Sequence, residues 1–260
     1  MCIRDRRLTP GDHQRVPSSC FADRLGEYMS LSEAERTALQ GLEDRERVPR
    51  RGATLIREND VSTDLFIVRQ GMMMSCVILD DGSRQILRFL FPGDMIALSA
   101  LAYARAPETV TALAESIVCP FERPVMARLA AQQPRLFAAI VAINQMERVA
   151  LTDRLAGLGR TSAKARVASV LLDVRNRLRR IDPTLGDSFP LGLTQEEIGD
   201  ATGLTAVHVN RMLRQLEDEQ LIARGSGRVT FLDERRLARA ANYVDRRGNI
   251  DLTWLPAARA

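Results

Sequence analysis

Arg211 and Asn210 stand side by side within residues 193–221, LTQEEIGDATGLTAVHVNRMLRQLEDEQL, where residue type and spacing speak most directly of chemistry. An arginine guanidinium is a planar fork that donates two parallel hydrogen bonds to the edge of a guanine. Asn210 or Arg214 would stand beside it at the next base. Such groups reach base edges only when a helix carries them into the major groove. The flanking residues supply that helix. Thr194 with Glu197 forms a capping box, so a first short helix is expected to run to about Ala201. Gly203 takes the left-handed backbone that turns the chain. Thr205 then caps a second helix to about Glu219, with Val209, Met212, Leu213 and Leu216 on one stripe. The opposite face holds Val207, Asn210, Arg211 and Arg214. His208 lies on the flank, where a phosphate contact and a plain surface histidine are equally good readings. The two helices alone also fit an ordinary helical hairpin with a solvated arginine face.

The residues on either side of the helix pair narrow the choice. LIARGSGRVTFLD reads as two short strands around a Gly-Ser-Gly turn, with Arg224 and Arg228 flanking the tip and placed to meet phosphates. Residues 189–191 add a short strand ahead of Thr194. The order strand, helix, turn, helix, hairpin, together with TQEEIG, GLT, Asn210-Arg211 in VHVNRMLRQLE, and QLI at 220–222, resembles the C-terminal domain of the cyclic-AMP receptor protein/Fnr (Crp/Fnr) superfamily of bacterial transcription regulators. The resemblance implies a winged helix-turn-helix over residues 160–245 and a homodimer on a pseudo-palindromic DNA site. RNA polymerase is the further partner it implies. It assigns DNA contact to Thr194, Gln195, Thr205, Val207, His208, Asn210, Arg211, Arg214 and Arg228. Members usually carry a glutamate one turn before the reading arginine; here that position is Val207, which suits a thymine methyl.

Composition agrees with a polyanionic partner. The net charge of +4 falls entirely in residues 160–260, while residues 1–159 are neutral. Lys164 is the single lysine among 37 basic residues, a bias that reads as genome composition. No apolar run approaches the roughly 20 residues of a membrane span, and MCIRDRRLTPGDHQR lacks the apolar centre of a secretory signal. The expected location is the cytoplasm. MCIRDR also looks like a translated sequencing adapter, so about the first twenty residues are set aside and expected to be mobile. Cys2, Cys20, Cys76 and Cys119 form no CxxC pair, which argues against structural zinc. The clustered cysteines that hold an iron–sulfur centre in some Fnr-like regulators are absent. Cys76 and Cys119 fall in apolar runs and read as buried, inert thiols.

Ser32 with Glu35 predicts a capped helix to about Leu42. Beyond Pro49 come seven or eight short strand-like runs, with Asp81-Gly82 as a hairpin turn and Gly71 and Pro92-Gly93 as further breaks. The spacing of Gly52, Gly71, Asp81-Gly82 and Gly93-Asp94 resembles the cyclic-nucleotide-binding β-roll of the same superfamily. The expected fold is therefore α+β, with a cyclic-nucleotide-binding-like antiparallel roll over 21–133, a dimerisation helix and hinge over 134–159, and the winged helix. The ligand residues depart from the family. Ala97-Leu98-Ser99-Ala100 replaces the Gly-Glu-Leu segment, and Ala106-Pro107-Glu108 replaces Arg-Ser. Glu108 would repel a phosphate, and Arg105 is the nearest substitute. Another effector or none is expected, and its binding residues are unknown.

Residues 134–157 carry the longest helical signal. Leu136, Ile140, Ile143 and Ala150 form a seam that serves either a coiled-coil dimer, as the family implies, or packing on the roll. Gly157 and Gly159 read as the helix break and hinge, and Lys164 to Arg180 as a further helix with Val167, Val170, Leu171 and Val174 inward. An enzyme is not expected. The two histidines are His13 and His208, no Walker loop or nucleophile elbow occurs, and no metal or cofactor is implied. The competing reading is a ligand-binding regulator whose winged helix contacts protein rather than DNA.

Overall fold

The computed structural model describes residues 19–246 and 249–258. Cys2, His13 and the expectation of a mobile leader fall outside the described residues. The architecture is α+β, as expected. Helix α1 (Cys20–Gly26) starts where Ser19 Oγ accepts from Ala22 N–H. Helix α2 (Glu33–Gln40) has the Ser32–Glu35 capping box in both directions. Seven strands follow: β1 (Thr54–Ile56), β2 (Asp64–Gln70), β3 (Met73–Ile78), β4 (Arg84–Leu90), β5 (Met95–Ile96), β6 (Thr109–Ala112) and β7 (Ile117–Glu122). They form two antiparallel sheets, ordered β1-β6-β3-β4 and β5-β2-β7. Ile56, Phe66, Val68, Met73, Leu90, Val110 and Val118 fill the space between them. Gly71 is obligatory where the sheets cross, since a Cβ there would lie 2.6 Å from the Glu115 carbonyl oxygen at φ +91°.

Helix α3 (Arg123–Gln132) leads into α4 (Pro134–Arg160), 27 residues and about 40 Å long. One open alternative about α4 is decided here and one expectation is corrected. Leu136, Ile140 and Ile143 do not face outward: they are buried against Leu65, Ile67 and Phe121 on the back of the roll, while Ala150 is exposed. Alternate residues of β2 serve different cores, so the roll's second face needed a cover and this apolar stripe supplies it. Gly157 and Gly159 do not break the helix either. Both lie inside α4, which ends at Thr161 (φ −105°, ψ 161°), where Ser162 begins capping α5 (Ala163–Ile181). A glycine costs a helix about 1 kcal/mol, which a long helix anchored upstream tolerates; a cap for the next helix is a stronger boundary.

The free face of α4 is the neighbouring stripe. Phe137, Val141, Asn144, Arg148, Leu151, Leu155 and Leu158 recur at alternating steps of four and three, and Val141, Leu151 and Leu155 are 46%, 40% and 71% exposed.

Strand β8 (Ser188–Pro190), α6 (Gln195–Thr202), α7 (Ala206–Asp218), β9 (Ile222–Gly225), β10 (Arg228–Phe231) and α8 (Glu234–Ala241) follow α5. Their core includes Val167, Leu171, Phe189, Val209, Leu216 and Phe231, and it is continuous with Met74, Ile86 and Phe89 on the outer face of β3 and β4. The core of the C-terminal half thus extends onto the outer face of the roll, which keeps a separate core between its own sheets. Where α5 passes the roll, a buried ionic cluster joins four segments. Arg24 pairs with Asp94 and with Glu147 (2.5 Å), and Arg177 pairs with Asp94 (3.1 Å) and Glu147 (3.4 Å). Burial alone would raise the Glu147 carboxyl, but Arg177, Arg24 and Arg88 outweigh it and hold the pKa down at about 2. A depressed carboxylate stabilises the fold above its unfolded pKa and loses that contribution as pH falls through the folded value. Glu147→Gln is therefore expected to lower the melting temperature at pH 7, with the gap to wild type closing as pH drops from 4.5 to about 2. Thermal melts of both proteins over that range check it.

Candidate nucleic-acid interface

The reading helix is built by three local devices. Thr194 N–H donates to Glu197 Oε2 at 2.7 Å and Thr194 Oγ1 accepts from Glu197 N–H at 3.1 Å, which starts α6. Gly203 ends it at φ +66°, and Gly199 lets the Leu204 carbonyl approach where a Cβ would clash. Thr205 Oγ1 then accepts from His208 N–H at 3.3 Å and starts α7. Val209, Met212, Leu213 and Leu216 are buried beneath it, as their spacing predicts. The opposite face is open: Val207 is 81% exposed, Arg211 and Arg214 are exposed, and Asn210 is half-buried beside them. Thr194, Gln195 and Thr205 are exposed at the N-termini of the two helices, where unpaired N–H groups favour anions. His208 is not a bystander, because its Nε2 lies 2.8 Å from Arg211 Nη2.

The wing is present as a hairpin, β9 paired with β10 and β10 with β8. Ser226 (φ +52°) and Gly227 (φ +72°) form its two-residue turn, the primed type that matches strand twist. Its arginines are placed otherwise than expected. Arg224 Nη2 donates to Glu217 Oε2 at 2.6 Å. Arg228 donates from Nε to Ser188 Oγ (3.0 Å) and from Nη2 to the Ser188 carbonyl (2.7 Å). Arg224 thereby ties β9 to α7, and Arg228 supplies a donor to a carbonyl of the edge strand β8. Arg228 thus bridges β10 to β8.

Residues outside the motif hold it in place, and the sequence reading missed them. Arg51 Nη2 donates to Glu197 Oε1 (2.8 Å), Arg84 Nε donates to Asp200 Oδ2 (2.8 Å), and Gln85 Nε2 donates to the Asp200 carbonyl (2.8 Å). Arg154 and Arg166 donate to the carbonyls of Ala201 and Thr202 at the C-terminal end of α6. Arg51, Arg84 and Gln85 stand 146, 116 and 115 positions before their partners, so no local pattern announces the set.

Comparison with known proteins settles the family. Residues 165–240 match the Crp-like helix-turn-helix domain, and residues 46–133 match the cyclic nucleotide-binding domain. The nitrogen fixation regulation protein FixK of Bradyrhizobium diazoefficiens is 32% identical over 186 residues, covering 72% of this chain and 77% of that protein. This chain belongs to the Crp/Fnr family of transcription regulators. The fumarate and nitrate reduction regulatory protein of Escherichia coli K12 is similar at 25% identity over 241 residues, 92% of this chain and 95% of that one. The solved structure of FixK2 from Bradyrhizobium japonicum superposes with a TM-score of 0.69 at 25% identity, covering 75% of this chain and 96% of that one. A Crp-family transcriptional regulator of Thermus thermophilus shares the fold with a TM-score of 0.63 at 24% identity, over 76% and 96% of the two chains.

In this Crp/Fnr chain the space between the roll and α4 is nearly closed. The cavity bounded by Arg88, Leu98, Ile143 and Glu147 measures about 30 Å³, room for about one water, against several hundred for a drug-sized ligand. Glu108 pairs with Arg88 at 3.5 Å, and Arg105 is exposed with Nη1 donating to the Asn59 carbonyl at 2.8 Å. Cyclic AMP at millimolar concentration is expected to leave the melting temperature unchanged. A ligand at 100 times its dissociation constant would add about 2.7 kcal/mol, so a thermal-shift titration decides the point. The thiols nearby are quiet: burial is the main cause that raises Cys20 and Cys119 to about 11, and Cys76 is raised for the same reason. No helix among the described residues is long and apolar enough to cross a membrane.

Proposed function

We propose that the protein acts in the cytoplasm as a non-enzymatic regulator that binds double-stranded DNA as a homodimer at a pseudo-palindromic site. The single observation that carries this reading is the open face of α7, where Val207, Asn210, Arg211 and Arg214 project from a helix whose other side is fully packed. A helix so presented fits the major groove, with Thr194, Gln195 and Thr205 meeting phosphates through the helix N-termini. Two copies joined along the Phe137–Leu158 stripe of α4 would present two such helices about a two-fold axis. Asn144 and Arg148 in that stripe would set its register, as polar residues do in apolar seams. RNA polymerase is the partner through which a regulator of this family would act. An effector, if the protein takes one, binds elsewhere than in the small cavity between Arg88 and α4.

A gel-shift titration against selected genomic fragments tests the reading. The logarithm of the binding constant must fall linearly with that of salt concentration, with a slope near −0.9 for each phosphate contacted. Binding that ignores salt, or none to any duplex, would sink it.

A further inference from the structure

Beyond α8 the chain turns back instead of ending on the DNA-binding half. Residues 243–246 and 249–256 run antiparallel to α4 and return to the roll. Arg246 Nη2 donates to Asp153 Oδ1 at 2.6 Å near one end of this stretch, and Arg135 Nε donates to the Pro256 carbonyl at 2.5 Å at the other. Between them Leu252 and Leu255 pack into the cluster of Leu25, Phe121 and Leu136, with Leu255 only 8% exposed. The helix-turn-helix match stops at residue 240, so this stretch lies beyond both matched domains. Together with α4 and α5 it borders a largely apolar cleft of about 880 Å³, lined in part by Phe137, Val141, Val149, Val244, Ile250 and Trp254. Trp254, the only tryptophan of the chain, is 63% exposed at its rim, with Val244 at 57% and Val141 at 46%.

We propose that the segment from Leu252 to Pro256, anchored on its own α4 through Leu255 and the Pro256 carbonyl, is a dimerisation arm whose Trp254 packs against the α4 seam of a second copy. The proposal rests on the reading of α4 as the homodimer helix. Val141 belongs both to the exposed seam and to the cleft that Trp254 lines. In a two-fold pairing the helix axes come within about 8–10 Å, so the second copy must lie over whatever borders Val141. A small molecule in the cleft would leave Leu151 and Leu155 exposed on the same helix, whereas a second copy covers them together with Trp254. Exposed tryptophan beside aliphatic side chains is also the composition that carries binding energy at protein interfaces.

The single tryptophan makes the test direct. Sedimentation and intrinsic fluorescence are followed together over one dilution series of the full-length protein. The emission should move to longer wavelength at the same concentrations at which the dimer dissociates. Trp254→Ala should raise the dimer dissociation constant at least tenfold, and Trp254→Phe should restore most of the loss. Because Trp254 is mainly exposed, neither change disturbs the fold. A dimer whose emission ignores dilution, as ligand occupancy of the cleft would give, overturns the arm and leaves the homodimer standing. So does Trp254→Ala dimerising as tightly as wild type, or more tightly, the last meaning that the arm masks the seam. A wild type that is monomeric throughout removes the dimer reading and the arm with it.

Discussion

Arg211→Ala is expected to weaken binding to the selected site by about 1–3 kcal/mol and to relax the preference at one guanine in each half-site. Arg211 is exposed on α7, and its Nη2 meets His208 Nε2 at 2.8 Å, which restrains the guanidinium before DNA arrives. The substitution removes a bidentate donor without touching the buried stripe beneath, so folding is left intact. Val207→Glu tests the neighbouring position. Val207 is 81% exposed and packs on nothing that a glutamate would disturb. A carboxylate there accepts from a cytosine amino group, whereas the valine offers only contact with a thymine methyl. The preferred neighbouring base should therefore change, rather than affinity falling uniformly. The measurement is a selection profile of each variant at one fixed salt concentration. An unchanged motif in both would mean that α7 does not read the major groove.

Leu155→Glu and Ile143→Glu should fail in different ways. Leu155 is 71% exposed on the free stripe of α4, so a charge there leaves the protomer folded and abolishes the dimer at micromolar concentration. Ile143 is 6% exposed within the core shared by α4 and the roll. A glutamate there is desolvated without a partner, at a cost of several kcal/mol, and should lower the melting temperature before it alters assembly. Sedimentation and thermal melts of the two variants separate the stripes. Leu155→Glu remaining dimeric would place the interface elsewhere. The contrast matters because Ile143 and Leu155 look alike in the sequence: both are large aliphatics at helical spacing in one long helix.

The DNA-reading half was legible because its determinants are local. Capping at Thr194 and Thr205, the left-handed Gly203 and the stripe from Val209 to Leu216 each involve residues a few positions apart, and each was found as expected. The roll's hairpins and sheet-forming runs were legible for the same reason, since Asp81-Gly82 and the alternating strands are short-range signals. The departure of the ligand residues was also visible in the sequence alone. What the sequence could not show was which of several apolar stripes meets which surface. Leu136, Ile140 and Ile143 satisfy a dimer seam and a roll-facing stripe equally, and only the apolar back of β2 and β7 decides between them.

Charges followed the same division. By itself the sequence determined that Arg211, Arg214, Arg224 and Arg228 lie on or near a helix-turn-helix with a wing, because helical and hairpin periodicity is a property of neighbouring residues. Helical periodicity already put Arg211 and Arg214 on the open face, but tertiary structure alone decided that Arg224 and Arg228 turn to Glu217 and Ser188. It also decided that Arg51 and Arg84 grip α6, and that Arg24, Asp94, Glu147 and Arg177 close one buried cluster. Those partners are separated by tens to more than a hundred residues. Such long-range pairs form only when folding has brought both groups together, and no periodicity in the chain encodes that meeting.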